Sequence, residues 1–336
     1  MTIRPTPRFV GYATVASMLP YLSLKVAWLA GSDIGVEGPN VMRDDTFLTA
    51  NAITAGMELT AAALVLALVH QWGRRLPAWL LLFPMWAASG LLAPVMLAAP
   101  VAGLVQAIGG STVTASATDG SAPVSDLQPW VYGLVYTGFA VQGAGLALAF
   151  ALYLRGRWGT VLGTRLSHDE SGATHGAQVL ATAAVGGLTA VVVVLHLYWA
   201  LGGVAGLPSG LREGRQATQQ VTEATWVLLA LVGALGLGAL VGRRPRGARL
   251  WLPLAATWVG AGAMFWWGAY QLITLLAPGS PFETSGDVGG YALGLMVQTA
   301  AGMLAAVTGM FHLAEIFHHS PSPSPPLAPR SCLPSI

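Results

Sequence analysis

The sequence predicts an all-α, polytopic integral membrane protein with eight transmembrane helices, arranged as two tandem four-helix repeats. Composition is the first observation: 9% of the 336 residues are charged and 54% are hydrophobic, whereas about 25% are charged in ordinary soluble proteins. The apolar residues also form continuous blocks long enough to cross a bilayer. Finally, the arginines are concentrated in alternate connecting segments, and matching motifs recur in the two halves of the chain.

The eight apolar blocks are predicted to be helices. Each is roughly 20 residues or longer, the length that crosses the hydrocarbon core. They are rich in alanine and leucine and do not alternate polar with apolar residues, which excludes the strands of a barrel. The predicted helices cover residues 9–31, 50–71, 77–100, 129–154, 176–202, 218–241, 250–277 and 288–313.

The distribution of basic residues predicts that both termini are cytoplasmic. Most arginines lie in the N-terminal segment and in the connections "HQWGRR", "RGRWGTVLGTR" and "GRRPRGAR". The alternate connections carry only Arg43, Arg212 and Arg215 and are otherwise acidic. Cytoplasmic loops are enriched in lysine and arginine, so we expect a multi-pass protein of the cell membrane, of the bacterial inner-membrane type.

Matching motifs predict that one four-helix unit was duplicated. Lys25 in "YLSLKVAWLAG" and His196 in "VVVVLHLYWALGG" each precede a tryptophan by three residues and a glycine by six. The second helix of each half ends in Gly-Arg-Arg, a tryptophan opens the next helix, and Gln142 and Gln298 occupy matching places in the fourth helices. Chance similarity among alanine-rich helices is the alternative explanation.

The duplication divides the chain into four segments. The first repeat covers residues 1–158, a cytoplasmic linker follows at 159–175, and the second repeat covers 176–317. Residues 109–128 are predicted to form a polar external loop. The proline- and serine-rich tail, 318–336, is predicted to be disordered.

Four ionisable residues inside the apolar blocks are the candidate catalytic residues: Glu58, Glu223, Lys25 and His196. A buried charge is unfavourable by several kcal/mol unless it is paired, hydrated or neutralised. These side chains therefore face the bundle interior, and the predicted topology places all four roughly 8–12 Å beneath the outer boundary.

Aromatic and amide side chains at similar depth are predicted to complete a single cavity in the outer half of the bundle. The candidate substrate-binding residues are Trp28, Tyr132, Tyr136, Gln142, Trp199, Trp266, Trp267, Tyr270, Tyr291 and Gln298. Each residue also has a purely structural explanation. The basic residues could bond to carbonyls, the glutamates could complement helix dipoles, and the tryptophans could belong to the interfacial aromatic belt.

Two resemblances accompany this interpretation. The stretch "HLYWALGG" resembles a motif of small four-helix bacterial membrane proteins, which implies that such a unit was duplicated. The architecture as a whole is similar to that of the integral-membrane terpene cyclases of meroterpenoid pathways. That resemblance implies an intramembrane carboxylic acid that initiates cyclisation, and it is one of architecture only, with no shared motif.

Acid-initiated cyclisation of an apolar, isoprenoid-like substrate is accordingly the first functional hypothesis. A carboxyl group in apolar surroundings retains its proton, and aromatic faces stabilise a migrating cation by about 0.5–2 kcal/mol each. In this hypothesis Glu58 or Glu223 is the acid, and Trp266, Trp267, Tyr270 and Tyr136 form the walls. A lysine paired with one glutamate would leave the other as the acid.

The alternative hypothesis is a proton-coupled transporter or permease, in which Lys–Glu and His–Glu pairs exchange protons or bind a charged solute. A haem or quinone redox protein ranks third. We expect no metal and no other cofactor, since the sequence lacks a metal-ligand motif and a phosphate-binding loop. The expected partners are a lipophilic small molecule and the lipid bilayer, and a nucleic acid is not expected.

Overall fold

The computed structural model describes residues 6–37, 45–109, 127–166, 172–212, 215, 217–245, 247–276 and 289–319. Nine α-helices occur in this part of the chain: α1 (Pro7–Leu29), α2 (Asp45–Val69), α3 (Ala78–Gly109), α4 (Pro129–Leu162), α5 (His175–Ala200), α6 (Ser209–Arg212), α7 (Ala217–Val241), α8 (Trp251–Leu276) and α9 (Gly289–His319). A 3₁₀ turn, Gln71–Arg74, follows α2. Within these ranges β pairing is limited to two isolated bridges and forms no strand.

Seven of the helices are long and apolar enough to cross a membrane, namely α2, α3, α4, α5, α7, α8 and α9. The remaining long helix, α1, has 23 residues but is less apolar, because it includes Arg8, Pro20 and Lys25. The structure therefore confirms an all-α protein of the multi-pass membrane type. All eight predicted long helices are present, and α6 is a single additional turn.

The predicted helix ends differ from the observed ones mainly at C-termini. α3, α4 and α9 extend to Gly109, Leu162 and His319, beyond the predicted residues 100, 154 and 313. α3 continues through Pro100, and α4 continues through a kink at Trp158, where the backbone dihedrals are not helical. The polar segment 110–126 and the tail from residue 320 lie outside the described residues.

Glycine ends α1 and α5 in the same way. Gly31 and Gly202 follow the last residue of each helix by two positions and have φ angles of 89° and 95°. Glycine adopts this left-handed conformation without steric strain, which makes it the preferred residue just beyond a helix C-terminus. The glycine shared by the Lys25 and His196 motifs therefore fixes where each helix stops.

The helices pack as two groups joined by α3. In the first group α1 contacts α2 and α4, and α2 also contacts α4. In the second group α5 contacts α7 and α9, and α8 contacts α7 and α9. α3 packs mainly against α7 and α8 and only slightly against α2 and α4, although Leu81 and Met85 near its start belong to the core of the first group.

The contact between α3 and α8 brings matching sequence positions together. In α3, Trp86 lies seven residues after Trp79 and four residues before Gly90. In α8, Trp258 lies seven residues after Trp251 and four residues before Gly262. The indole of Trp86 donates to the carbonyl of Trp258 at 3.2 Å. A Cβ atom added at Gly90 would lie 2.6 Å from the backbone of Gly262. The two backbones approach this closely because neither position carries a side chain.

Glycine is also required where α7 crosses α8, which gives a first prediction. A Cβ atom at Gly260 would lie 2.4 Å from the Cα of Gly233, whereas one at Gly187, in α5, would have no neighbour within 4 Å. Gly260→Ala is expected to lower the free energy of unfolding by about 1–3 kcal/mol, because the helices must separate.

The matched control is Gly187→Ala, which is expected to raise the free energy of unfolding by about 0.5–1 kcal/mol because alanine favours helix. Unfolding in mixed micelles at increasing denaturing-detergent concentration, followed by tryptophan fluorescence, measures both values. Equal effects of the two substitutions would contradict the proposed close contact between α7 and α8.

Candidate functional site

A lysine cluster, formed by Lys25, Glu58 and Gln142, lies among the helices of the first group. The ammonium Nζ of Lys25, on α1, is 3.7 Å from Oε2 of Glu58, on α2. The amide Nε2 of Gln142, on α4, donates to Oε1 of Glu58 at 3.0 Å. Lys25 is the single lysine of the sequence, and its residue exposure is only 1%.

A histidine cluster, formed by His196, Glu223 and Gln298, lies among the helices of the second group. Nδ1 of His196, on α5, is 2.6 Å from Oε2 of Glu223, on α7. Nε2 of His196 is 3.0 Å from Oε1 of Gln298, on α9. The amide Nε2 of Gln298 is directed at the carbonyl of Met264, at 3.5 Å, which leaves the amide oxygen facing the imidazole.

The two clusters have the same composition and the same arrangement of helices. In each, a basic residue near the end of one helix meets a glutamate from the next long helix. The glutamine from the last helix of the group contacts the glutamate in the lysine cluster and the base in the histidine cluster. Lys25 is paired with Glu58, and His196 is paired with Glu223. The four predicted ionisable residues therefore form two pairs, each among the helices of its own group.

The partners of both glutamates are suited to ionised carboxylates. An ionised carboxylate only accepts hydrogen bonds, whereas a protonated one also needs an acceptor for its own proton. Glu58 faces an ammonium and an amide N–H, and Glu223 faces an imidazole N–H and the guanidinium of Arg215 at 3.8 Å.

The surroundings of His196 fit its doubly protonated form. One ring nitrogen faces a carboxylate oxygen and the other faces an amide oxygen, and an oxygen can only accept, so both ring nitrogens are placed to donate. The imidazolium and the Glu223 carboxylate then form a buried ion pair, like the pair of Lys25 with Glu58.

The clusters differ in access to solvent and in their aromatic surroundings. The paired side chains are 1% and 3% exposed in the lysine cluster, and 7% and 18% exposed in the histidine cluster. Trp226 packs beside His196, with a ring-centroid distance of 6.3 Å. Trp226 lies three residues after Glu223, whereas the residue three positions after Glu58 is Ala61. The histidine cluster is therefore the more open of the two. In the lysine cluster the ammonium of Lys25 lies over the ring of Tyr21, 4.1 Å from its centroid.

Trp28 and Trp199, predicted to line a substrate site, donate hydrogen bonds to the segments that follow their helices. The indole of Trp28 donates to the carbonyl of Ile34 at 2.8 Å, and that of Trp199 donates to the carbonyl of Ala205 at 3.0 Å. In both cases the acceptor lies six residues further along the chain. Both side chains are buried, so they help to fix Lys25 and His196, one turn earlier on the same helices.

The other predicted aromatic residues are dispersed. Tyr291 donates to Oε1 of Gln271 at 2.6 Å and packs against Trp199, close to the histidine cluster. Trp267 lies between Trp226 and Tyr270, and the Tyr270 side chain is largely exposed.

Trp266 belongs to a different group of rings. It packs against Phe83, Trp86 and Phe265, away from either cluster. Tyr132 and Tyr136 are part of α4, but their side chains lie outside the described residues. Among the predicted aromatic residues whose side chains the structure describes, Trp199 packs against His196, and Tyr291 packs against Trp199.

Two residues of the histidine cluster were missed by the sequence analysis. Arg215 pairs with Glu223 and donates to the carbonyl of Trp199 at 2.7 Å, but a loop arginine carries no helical spacing that would place it. Trp226 could have been found, because it follows Glu223 by three residues and so shares its helix face.

Comparison of the chain with protein-family models, curated protein sequences and solved structures finds no match. The fold and the site nevertheless define a class: an α-helical protein of the multi-pass membrane type that buries two ion-pair clusters between its helices.

Proposed function

We propose that this protein is a proton-linked carrier in which the pair of His196 and Glu223 exchanges the proton. The observation that supports this proposal is the placement of the same trio (base, glutamate and glutamine) between apolar helices in both halves of the chain. Ionisable residues inside membrane proteins are unfavourable and most often mark proton or ion pathways. Replacing such a pair by apolar residues is often neutral or stabilising, so stability alone does not explain two of them.

The proposal includes the duplication and the topology predicted from the sequence. Two four-helix units, related by an axis along the membrane normal, would form the halves between which a carrier alternates. Three observations support this relation: the matching clusters, the matching loops after Trp28 and Trp199, and the contact of Gly90 with Gly262. Both termini are assigned to the cytoplasm of a bacterial inner membrane on the arginine distribution.

The two clusters have different roles in this proposal. Histidine is the side chain whose charge changes most readily between pH 5 and 8, so His196 is suited to gain and release a proton in each cycle. Lysine retains its proton over this range, and the pair of Lys25 with Glu58 is almost fully buried. The lysine cluster therefore serves as the fixed charge pair of the first unit.

Acid-initiated cyclisation of an isoprenoid-like substrate stays a prediction, and the experiment described next addresses it as well. It requires one glutamate to carry a proton that it can donate to an apolar substrate. The described polar partners of Glu58 and Glu223 are nitrogen groups of other side chains. The geometry therefore supports proton exchange within a charged pair better than donation to a hydrocarbon.

Reconstituted vesicles that contain a pH-sensitive dye test the proposal without a labelled substrate. Amines, amino acids, organic acids and sugars are added outside in turn, and a change in the internal pH reports solute-linked proton movement. We expect wild-type protein to respond to one solute class, and Glu223→Gln to reduce that response to the level of protein-free vesicles, because the carboxylate that holds the imidazolium is lost.

Glu37→Gln is the matched control, because Glu37 is exposed and follows α1 outside both clusters. It is expected to leave the response unchanged. A wild-type response in Glu223→Gln, or no response of the wild-type protein to any class, would contradict the carrier proposal. Conversion of a prenylated epoxide by purified wild-type protein, lost in the glutamine variant, would favour the cyclase instead.

A further inference from the structure

An open groove of about 820 Å³ lies beside the C-terminal end of α7, away from both charged clusters. Its volume is within the range of about 300–1,000 Å³ that is typical of ligand pockets. The lining residues are Ala234, Leu235, Gly238, Ala239, Arg244 and Pro245. Four of them belong to the apolar helix, and the last two belong to the segment that follows it. The groove thus has a long apolar part and a single cationic end.

We propose that this groove binds one anionic phospholipid of the surrounding membrane. One acyl chain would lie along the small side chains of α7, and the phosphate would meet the guanidinium of Arg244. α7 is among the helices that are apolar enough to cross a membrane, and Leu235 is 70% exposed on its outer face. Arginine at the end of such a helix lies at the depth of the lipid phosphates, where it binds them by charge-assisted hydrogen bonds.

The charges around Arg244 favour an anionic headgroup over a zwitterionic one. Arg243 precedes Arg244, and Arg249, which follows, is bridged through its backbone to Arg165. Among the described residues, no carboxylate lies within ion-pair distance of Arg244. Basic clusters beside transmembrane helices attract acidic lipids in this way.

At the corresponding place in the first half of the chain, a side chain occupies the space that is open beside α7. Gly238 lies four residues before the Gly-Arg-Arg motif of α7, and a Cβ atom there would meet nothing within 4 Å. Val69 lies four residues before the same motif after α2, and its side chain packs against Gly11 of α1. The open space at Gly238 is therefore specific to α7, and the proposed lipid site does not depend on the carrier function.

Native mass spectrometry of the full chain tests the proposal, with dioleoylphosphatidylglycerol and dioleoylphosphatidylcholine added in equal amounts to the detergent solution. Wild-type protein is expected to retain phosphatidylglycerol preferentially. Arg244→Gln is expected to lower that preference about fivefold, as expected for one basic residue near the lipid surface. Gly238→Leu places a side chain in the groove, at a position where an added Cβ atom has no neighbour within 4 Å. It is expected to remove the retained lipid while Arg244 stays in place.

Arg75→Gln is the matched control, because Arg75 ends the Gly-Arg-Arg motif of the first half and is exposed as Arg244 is. The control is expected to keep the wild-type preference. The proposal is overturned if wild-type protein shows no preference, if Arg244→Gln or Gly238→Leu retains it, or if Arg75→Gln loses it equally. Arg244→Gln alters an exposed side chain outside the helix, so it keeps the test decisive even if Gly238→Leu folds poorly.

Discussion

Replacement of Lys25 by methionine is expected to lower the free energy of unfolding by about 3–5 kcal/mol. Methionine fills a similar volume but leaves the carboxylate of Glu58 buried, with the amide of Gln142 as its remaining polar contact. Removing one partner of a buried ion pair is strongly destabilising, because the other charge remains away from water. Denaturing-detergent titration in mixed micelles, followed by tryptophan fluorescence, measures this loss.

The double variant Lys25→Met with Glu58→Met separates lost charge pairing from lost packing. It removes both charges and is expected to regain most of the lost free energy of unfolding, since well-packed apolar residues often replace a buried ion pair without loss.

Arg8→Met is the control, because Arg8 is a basic residue of the same helix whose side chain is exposed. It is expected to change the free energy of unfolding by less than about 0.5 kcal/mol. A Lys25→Met variant as stable as wild type would contradict the buried pair.

The ion pairs could be predicted from the sequence because their spacing relative to other signals is simple. Lys25 and His196 share a tryptophan and a glycine at fixed distances, and the glycine ends the helix in both cases. Each basic residue is thereby placed near the end of its helix, where a glutamate from the next long helix meets it. Glu58 lies in the middle of α2, five residues further into the helix than predicted, because α2 begins at Asp45. The pairing of both glutamates with bases follows from the high free energy of a lone charge in an apolar bundle.

The packing partners of α3 could not be predicted in the same way. The helix is apolar on all faces, so the sequence contains no polar stripe that would orient it. Its place against α7 and α8 depends on the absence of side chains at Gly90 and Gly262 and on the indole of Trp86. Such close contacts depend on the shapes of both helices together. For the same reason, the contact of the Trp266 ring with Phe83 and Trp86 of α3 could not be predicted from its position in the sequence.

The protonation state of His196 is the most direct measurement of the proposed proton site. Solid-state nitrogen-15 NMR of protein labelled at histidine, in bilayers, distinguishes a doubly protonated ring from a neutral one. The sequence has seven histidines, so the signal of His196 is assigned by its loss in the His196→Gln variant. We expect both ring nitrogens of wild-type His196 to be protonated at neutral pH, because both face oxygen atoms.

In Glu223→Gln the carboxylate that stabilises the imidazolium is absent. We therefore expect only one of the two ring nitrogens of His196 to carry a proton in this variant, because no carboxylate remains to pair with an imidazolium. Tyr291 and Arg215, the other titratable or charged groups near Glu223, are unchanged in this comparison. A ring that is neutral in wild-type protein, or equally protonated in wild type and Glu223→Gln, would contradict a proton-exchanging pair of His196 and Glu223.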